Sequence, residues 1–344
     1  MPSDIRPDQT AQRTDVVIVG AGPVGLFAVF ECGMLGIKCH VVDALETLGG
    51  QCSALYPEKP IYDIPGYPRI DAATLVERLA AQAAPFHPAY HLNQRVERVA
   101  RRDGRWLVET SAGARLDAAA VIVAAGAGAF GPNRPPLPGI ERYEGRGVHY
   151  LVRRADEFRG KRVVIAGGGD SAVDWALALV DVAARVSVVH RRAKFRAAPE
   201  SVRKLEALAA AGRLDLVVPY QLARLEGDGA SLAAVVVATL DGEERRLPAD
   251  ALLPFFGLAA DLGPIAQWGL NLARNQIVVD PATCATNVPG LFAIGDIASY
   301  PGKLKLILSG FAEAAQAAHA IHPLVFPGAA LHFEYSTMKG VPQA

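Results

Sequence analysis

Apolar positions in this chain follow one pattern, written twice. Residues 15–19 form a β-branched run that breaks into Gly20, Gly22 and Gly25. Helical periodicity follows over 24–35 and stops at Gly36, and a second apolar run, 38–42, ends on Asp43. Strand, glycine turn, helix and strand in that order make a βαβ unit, whose crossover is right-handed. Residues 161–189 repeat it, with a run at 162–166, glycines at 167–169, a helix over 171–179 and a strand over 185–189.

The segments between are less regular. Residues 1–14 read as a polar arm, and 44–70, rich in Gly, Pro and Tyr, as an irregular functional loop. A helix capped by Asp71 is predicted over 71–84, antiparallel strands over 91–118 and a buried strand over 116–126. The proline-rich stretch 131–139 reads as a linker. A helix and alternating strands fill 203–253, a return linker lies near 254–263, a strand over 286–296 ends in Gly-Asp, and a helix of small residues spans 310–321. The layout predicts an α/β fold of two Rossmann-like, three-layer nucleotide-binding domains, one inserted into the other. The split domain occupies 1–128 and 254–344, and the inserted one 129–253.

Charge and composition narrow the partners. Lys+Arg and Asp+Glu balance at 35 each, which argues against nucleic acid or an anionic membrane as the main partner. The basic clusters at 101–102, 153–154 and 159–162 read as solvated faces. With 51% hydrophobic residues and a mean hydropathy of +0.19, the chain has enough apolar surface for two cores. The first dozen residues lack the apolar stretch of a signal peptide, and no unbroken 18-residue apolar run predicts a membrane span. The four cysteines, Cys32, Cys39, Cys52 and Cys284, form neither a CxxC pair nor a zinc spacing, which suits a cytoplasmic protein with reduced thiols and no metal.

The glycines carry the chemistry. In the first fingerprint Gly20 allows the tight turn, Gly22 lets a pyrophosphate approach the backbone, and Gly25 lets helix and strand pack closely. Pro23 opens a helix whose N-terminus then faces the phosphates. Asp43, 18 residues past Gly25, stands where a carboxylate accepts hydrogen bonds from a ribose hydroxyl. In the second fingerprint, Gly167, Gly169, Asp170, Ser171 and Ala172 are the candidates, and the following strand ends in His190-Arg191-Arg192-Ala193-Lys194-Phe195-Arg196 rather than an acid. Arg191, Arg192 and Arg196 suit a 2′-phosphate, so the expected ligand is NADPH rather than NADH. Asp296, in Gly295-Asp296 at the end of a predicted strand, would stand near a bound ligand, and in flavoproteins an acid so placed binds the ribityl chain of FAD. The helix after it, from about 309–310, can point its positive end at a flavin.

The order of these motifs resembles the two-domain thioredoxin-reductase-like flavoproteins. Thioredoxin reductases carry a CxxC pair just before the second fingerprint, whereas this chain has Val148-His149-Tyr150-Leu151-Val152-Arg153 there. Cys52 is equally alone, with Pro57 five residues on, so no disulfide relay is available. Three segments narrow the likeness: Gly49-Gly50-Gln51-Cys52-Ser53-Ala54-Leu55-Tyr56-Pro57-Glu58-Lys59, the second fingerprint through Trp175, and Tyr335-Ser336-Thr337. Together these resemble the thioredoxin-reductase-like ferredoxin–NADP⁺ reductases over nearly the whole chain. The resemblance implies a split FAD domain with an inserted NADPH domain, and FAD contacts from Asp43, Gln51, Tyr56, Val96, Phe130, Asp296 and Thr337. It also implies that Tyr56 stacks on one flavin face while Tyr335, on a C-terminal tail, covers and gates the other, with no acid–base residue required.

The activity it implies is hydride transfer from NADPH to flavin, then single-electron transfer to ferredoxin or flavodoxin, in a homodimer. Other readings are a disulfide reductase, disfavoured by the cysteines, an NADPH diaphorase or quinone reductase, and a non-catalytic flavin sensor.

Overall fold

The computed structural model describes residues 11–331 apart from Arg153, together with Gly340; for 129–132 and 258–260 it describes the backbone alone. The chain divides into two compact units, Met1–Phe130 with Ala260–Ala344, and Gly131–Ala259. The second unit holds the parallel strand Ala251–Pro254 and the residues after it as far as Ala259.

The first unit is built on a five-stranded parallel sheet. Its order is Leu291–Ala293, Ala120–Val123, Val16–Val19, Cys39–Val42, Ala89–His91. The central strands read Val-Val-Ile-Val and Ala-Val-Ile-Val because both faces are covered. Successive side chains alternate between two cores. Val16, Ile18, Ala120 and Ile122 pack under the helices Pro23–Met34 and Ile307–Val325. Val17, Val19, Val121 and Val123 pack against an antiparallel sheet of Val96–Arg102, Arg105–Thr110 and Arg115–Ala118. Helix, parallel sheet and antiparallel sheet thus make three layers. The two helices meet closely where Gly310 faces Val24: a Cβ on Gly310 would lie 2.4 Å from Val24 Cγ2.

The second unit repeats the plan. Asp215–Val217, Arg185–Val189, Arg162–Ala166 and Ala251–Pro254 form a parallel sheet. The helices Asp170–Leu179 and Pro199–Ala210 cover one face, and the antiparallel strands Gln221–Gly227, Leu232–Ala238 and Glu244–Pro248 cover the other.

Several element boundaries differ from the sequence reading, for local reasons. The stretch 116–126 is two strands rather than one: Ala119 turns the chain by donating its N–H to the Asp15 carbonyl, which sends Arg115–Ala118 and Ala120–Val123 into different sheets. Residues Gln12–Arg13, expected in a loose arm, pair in parallel with Leu116 and Asp117. Short strands run into the stretches read as linkers: Ala129–Pro132 ends in the first, and Leu258–Asp261 lies within the second. Of 286–296 only Leu291–Ala293 is strand, because Pro289-Gly290 makes a turn before it. The last helix starts at Ile307, three residues before Gly310, and runs to Val325. Asp71 occupies the predicted cap position of Ala72–Ala83, but its side chain makes no cap hydrogen bond. Among the described residues, no helix is long and apolar enough to cross a membrane, and no His/Cys/Asp/Glu group could hold a metal ion.

Candidate functional site

A cavity of about 340 Å³ opens at the carboxyl ends of the parallel strands of the first unit, where open α/β sheets bind ligands. The three fingerprint glycines meet three different surroundings. Gly20 has φ +113°, and a Cβ there would lie 2.4 Å from the Ala124 carbonyl oxygen. A Cβ on Gly25 would lie 2.0 Å from the Gly20 carbonyl oxygen. On Gly22 it would meet nothing within 4 Å. Gly20 and Gly25 are therefore required by the fold itself, whereas Gly22 leaves its space to a ligand. Gly22 is also the N-cap of the helix that Pro23 opens, so unpaired backbone N–H groups face the cavity.

Asp43 closes one side. Its Oδ2 accepts the Ala21 N–H at 2.6 Å and its Oδ1 the Leu45 N–H at 2.8 Å. These bonds fix the carboxylate beside the turn and leave lone pairs for a further donor. Burial nevertheless pushes its pKa upward. Val96 is buried beside Asp43 in the lining of the cavity.

The loop 44–70, expected to be irregular, contains a short helix, Gln51–Leu55, and brings Gln51, Cys52 and Tyr56 to the cavity. It is tied to the fingerprint by the Gly49 N–H, which donates to the Ala21 carbonyl at 2.8 Å. Burial, with smaller effects from Cys52 and Asp296, raises the Tyr56 phenol well above its ordinary range, and the Lys59 ammonium sits 5.7 Å from its ring centroid. Burial, helped by the Asp296 charge, pushes the Cys52 thiol up to about 11, so it is a neutral thiol rather than a nucleophilic thiolate. Asp296 follows the strand Leu291–Ala293 and lines the same cavity. The Phe130 side chain is not described, and Tyr335 and Thr337 lie outside the described residues.

Sequence reasoning missed part of this lining. Leu262, Pro264 and Ile265 reach the cavity from a 3₁₀ turn, Gly263–Gln267, where the chain returns to the first unit. The Gly263-Pro264 pair that signals this turn also reads as a linker.

The second fingerprint has the same logic. A Cβ on Gly167 would lie 2.6 Å from the Phe255 carbonyl oxygen, and one on Gly169 would meet nothing within 4 Å. Gly169 is the N-cap of Asp170–Leu179. Ala172 is fully buried against the turn. Asp170 does not point freely at a ligand, since its Oδ1 accepts the Ala198 N–H at 2.9 Å. The segment after the second strand is sewn back onto this turn: the Arg196 N–H donates to the Gly168 carbonyl at 2.7 Å, and the His190 ring fills the space beside Gly168. The side chains of Arg191, Arg192 and Arg196 stay exposed, with no ion-pair partner among the described residues. Burial and the three arginine charges pull the His190 pKa down, so the ring is neutral beneath them.

Two Rossmann-like units, one with Asp43 at the end of its second strand and one with arginines after its second strand, are the architecture of an FAD- and pyridine-nucleotide-dependent oxidoreductase. The profile of the pyridine nucleotide-disulphide oxidoreductase family matches residues 14–320, and the chain belongs to that family. It is 67% identical over 332 residues to a protein of Paramagnetospirillum magneticum named ferredoxin–NADP reductase, covering 96% of this chain and 98% of the relative. A protein of the same name from Rhodospirillum rubrum is 63% identical, over 97% and 98%. Among solved structures, Lactococcus lactis thioredoxin reductase matches with a TM-score of 0.78 at 25% identity, over 91% of this chain and 99% of that one. Thioredoxin reductase of T. acidophilum matches with a TM-score of 0.79 at 25% identity, over 90% and 98%.

Proposed function

We propose that this chain is a ferredoxin–NADP⁺ reductase, with FAD in the first unit and NADPH in the second. The observation that carries the choice of acceptor is the cysteine inventory at a thioredoxin-reductase-like fold. All four cysteines are free and buried, and only Cys52 lines the cavity. A disulfide relay needs a second sulfur beside it. The relatives named for ferredoxin and NADP, similar over nearly the whole chain, support the same acceptor.

Bound FAD supplies the link between a two-electron donor and a one-electron acceptor, taking hydride and releasing electrons singly. The chain's own residues hold and orient. The N-terminus of Pro23–Met34, with the open face of Gly22, receives the FAD pyrophosphate. Asp43 takes the adenosine ribose, Val96 meets the adenine through its backbone, and Asp296 holds the ribityl chain. Gln51 would add a further contact and Tyr56 would lie against the flavin ring, as its place in the cavity lining allows; the roles of Phe130, Tyr335 and Thr337 rest on the resemblance alone, since those side chains lie outside the described ones. In the second unit Gly169 and the start of Asp170–Leu179, including Ser171, would receive the NADPH pyrophosphate, with Gly167 and the buried Ala172 shaping the turn, while Arg191, Arg192 and Arg196 would grip the 2′-phosphate. The protein works in the cytoplasm as a homodimer, and flavodoxin is the alternative acceptor.

The acceptor chemistry separates this reading from a disulfide reductase. The holoenzyme with NADPH is expected to reduce ferricyanide, a single-electron acceptor, and to leave the disulfides of thioredoxin and of an aromatic disulfide dye intact. Turnover of either disulfide at a rate comparable to ferricyanide contradicts it.

A further inference from the structure

Lys303 and Glu313 form an ion pair in the first unit whose side chains are 5% and 2% exposed. Glu313 is the one acid in the last helix, set in a run of alanines. Its Oε1 accepts from the Lys303 ammonium and, at 2.7 Å, from the Tyr300 hydroxyl. Its Oε2 accepts the Gly295 backbone N–H at 2.7 Å. The Lys303 ammonium also lies 5.4 Å from the centroid of the Tyr300 ring. The carboxylate therefore has three donors, two of which hold it from one side while the third belongs to the turn that carries Asp296.

That arrangement is poorly explained by stability alone. A buried ion pair loses much of its attraction to desolvation, and well-packed apolar residues often replace it at no cost. What an apolar residue cannot do is accept the Gly295 N–H. Gly295 follows Ile294, whose own N–H is the last to continue the strand ladder, donating to the Val123 carbonyl at 3.0 Å. The Gly295 N–H would be left unpaired in the interior without Glu313. The turn is confined on its other side as well: a Cβ on Gly295 would lie 3.5 Å from the Val24 side chain, one residue after Pro23. Gln276 ties the next carbonyls, donating to those of Asp296 at 2.8 Å and Ala298 at 3.1 Å.

We propose that Glu313 is a positioning residue for the cofactor cavity: held by Lys303 and Tyr300, it fixes the Gly295 N–H and so aims the Asp296 carboxylate at the bound dinucleotide. The inference rests on the cavity being the FAD site. Lys303 neutralises the charge that this hydrogen bond requires, and the pair is buried because the turn it serves is buried.

The test follows release of FAD from diluted holoenzyme by the rise in flavin fluorescence. The double variant Lys303→Met/Glu313→Leu removes both charges and fills the space with apolar atoms. Glu313→Asp keeps the charge within reach of the long Lys303 side chain but draws the carboxylate back from Gly295. Both are expected to raise the FAD dissociation constant about tenfold, the scale of one lost charge-assisted hydrogen bond, and the double variant is expected to fold, with its melting temperature lowered by the unpaired Gly295 N–H and Tyr300 hydroxyl. A purely structural ion pair predicts instead that the double variant, once folded, holds FAD as the parent does. That result, or parent-like affinity in Glu313→Asp, overturns the proposal. Asp43→Ala is measured beside them: if it too leaves FAD affinity unchanged, the FAD reading of the cavity fails, and with it the role given to Glu313.

Discussion

Gly22→Ala folds as the parent does and loses FAD. The added Cβ meets no protein atom within 4 Å, and at a helix N-cap alanine costs only a fraction of a kcal/mol to about 1 kcal/mol relative to glycine. The methyl group instead occupies the space through which a pyrophosphate reaches the helix N-terminus. The dissociation constant of FAD is expected to rise about a hundredfold, equivalent to about 2.7 kcal/mol, with little change in the urea midpoint of the flavin-free protein. Gly25→Ala gives the contrast. Its Cβ would sit 2.0 Å from a backbone oxygen that has nowhere to go, since Gly20 is itself pressed against the Ala124 carbonyl. That variant loses stability and FAD together. Denaturation and flavin-fluorescence titrations on the two variants separate the effects, and equal loss of stability in both would contradict the assignment of Gly22.

Arg191→Glu turns the enzyme away from NADPH. The guanidinium is exposed and has no carboxylate partner among the described residues, so no internal ion pair is lost and folding is spared. A 2′-phosphate facing the new carboxylate loses a charge-assisted contact and meets repulsion, which lowers kcat/KM for NADPH about a hundredfold. The value for NADH, which has no 2′-phosphate, stays near the parent's. Steady-state ferricyanide reduction with the two nucleotides reads both numbers. An unchanged KM for NADPH would show that the arginines after His190 form only a basic surface turn.

The parts of the molecule most legible in the sequence are those where backbone geometry demands a residue type. Gly20, Gly25 and Gly167 face carbonyl oxygens closer than a Cβ tolerates, so the glycines declare the turns, and the fully buried parallel strands declare themselves as β-branched runs. The acids and arginines at the ends of the second strands were legible because a βαβ unit fixes where those ends lie. What escaped was set by contacts distant in sequence. Nothing near Glu313 signals that its partners are Gly295, Tyr300 and Lys303, although a lone acid among alanines on an otherwise small-residue helix is a clue to a buried role. The split of 116–126 depends on Ala119 finding Asp15, and Leu262 and Ile265 line the cavity through a turn that composition alone describes as a linker. His190 reads as the first of a basic run, yet its ring is neutral and packs on Gly168.

The central claim is that electrons arriving from NADPH leave to a protein carrier and not to a thiol. It is tested most directly by NADPH-driven cytochrome c reduction with and without added ferredoxin, at fixed holoenzyme. Ferredoxin is expected to raise the rate severalfold and saturably, with the stimulation lost when salt screens the encounter. Equal rates with and without ferredoxin contradict the account.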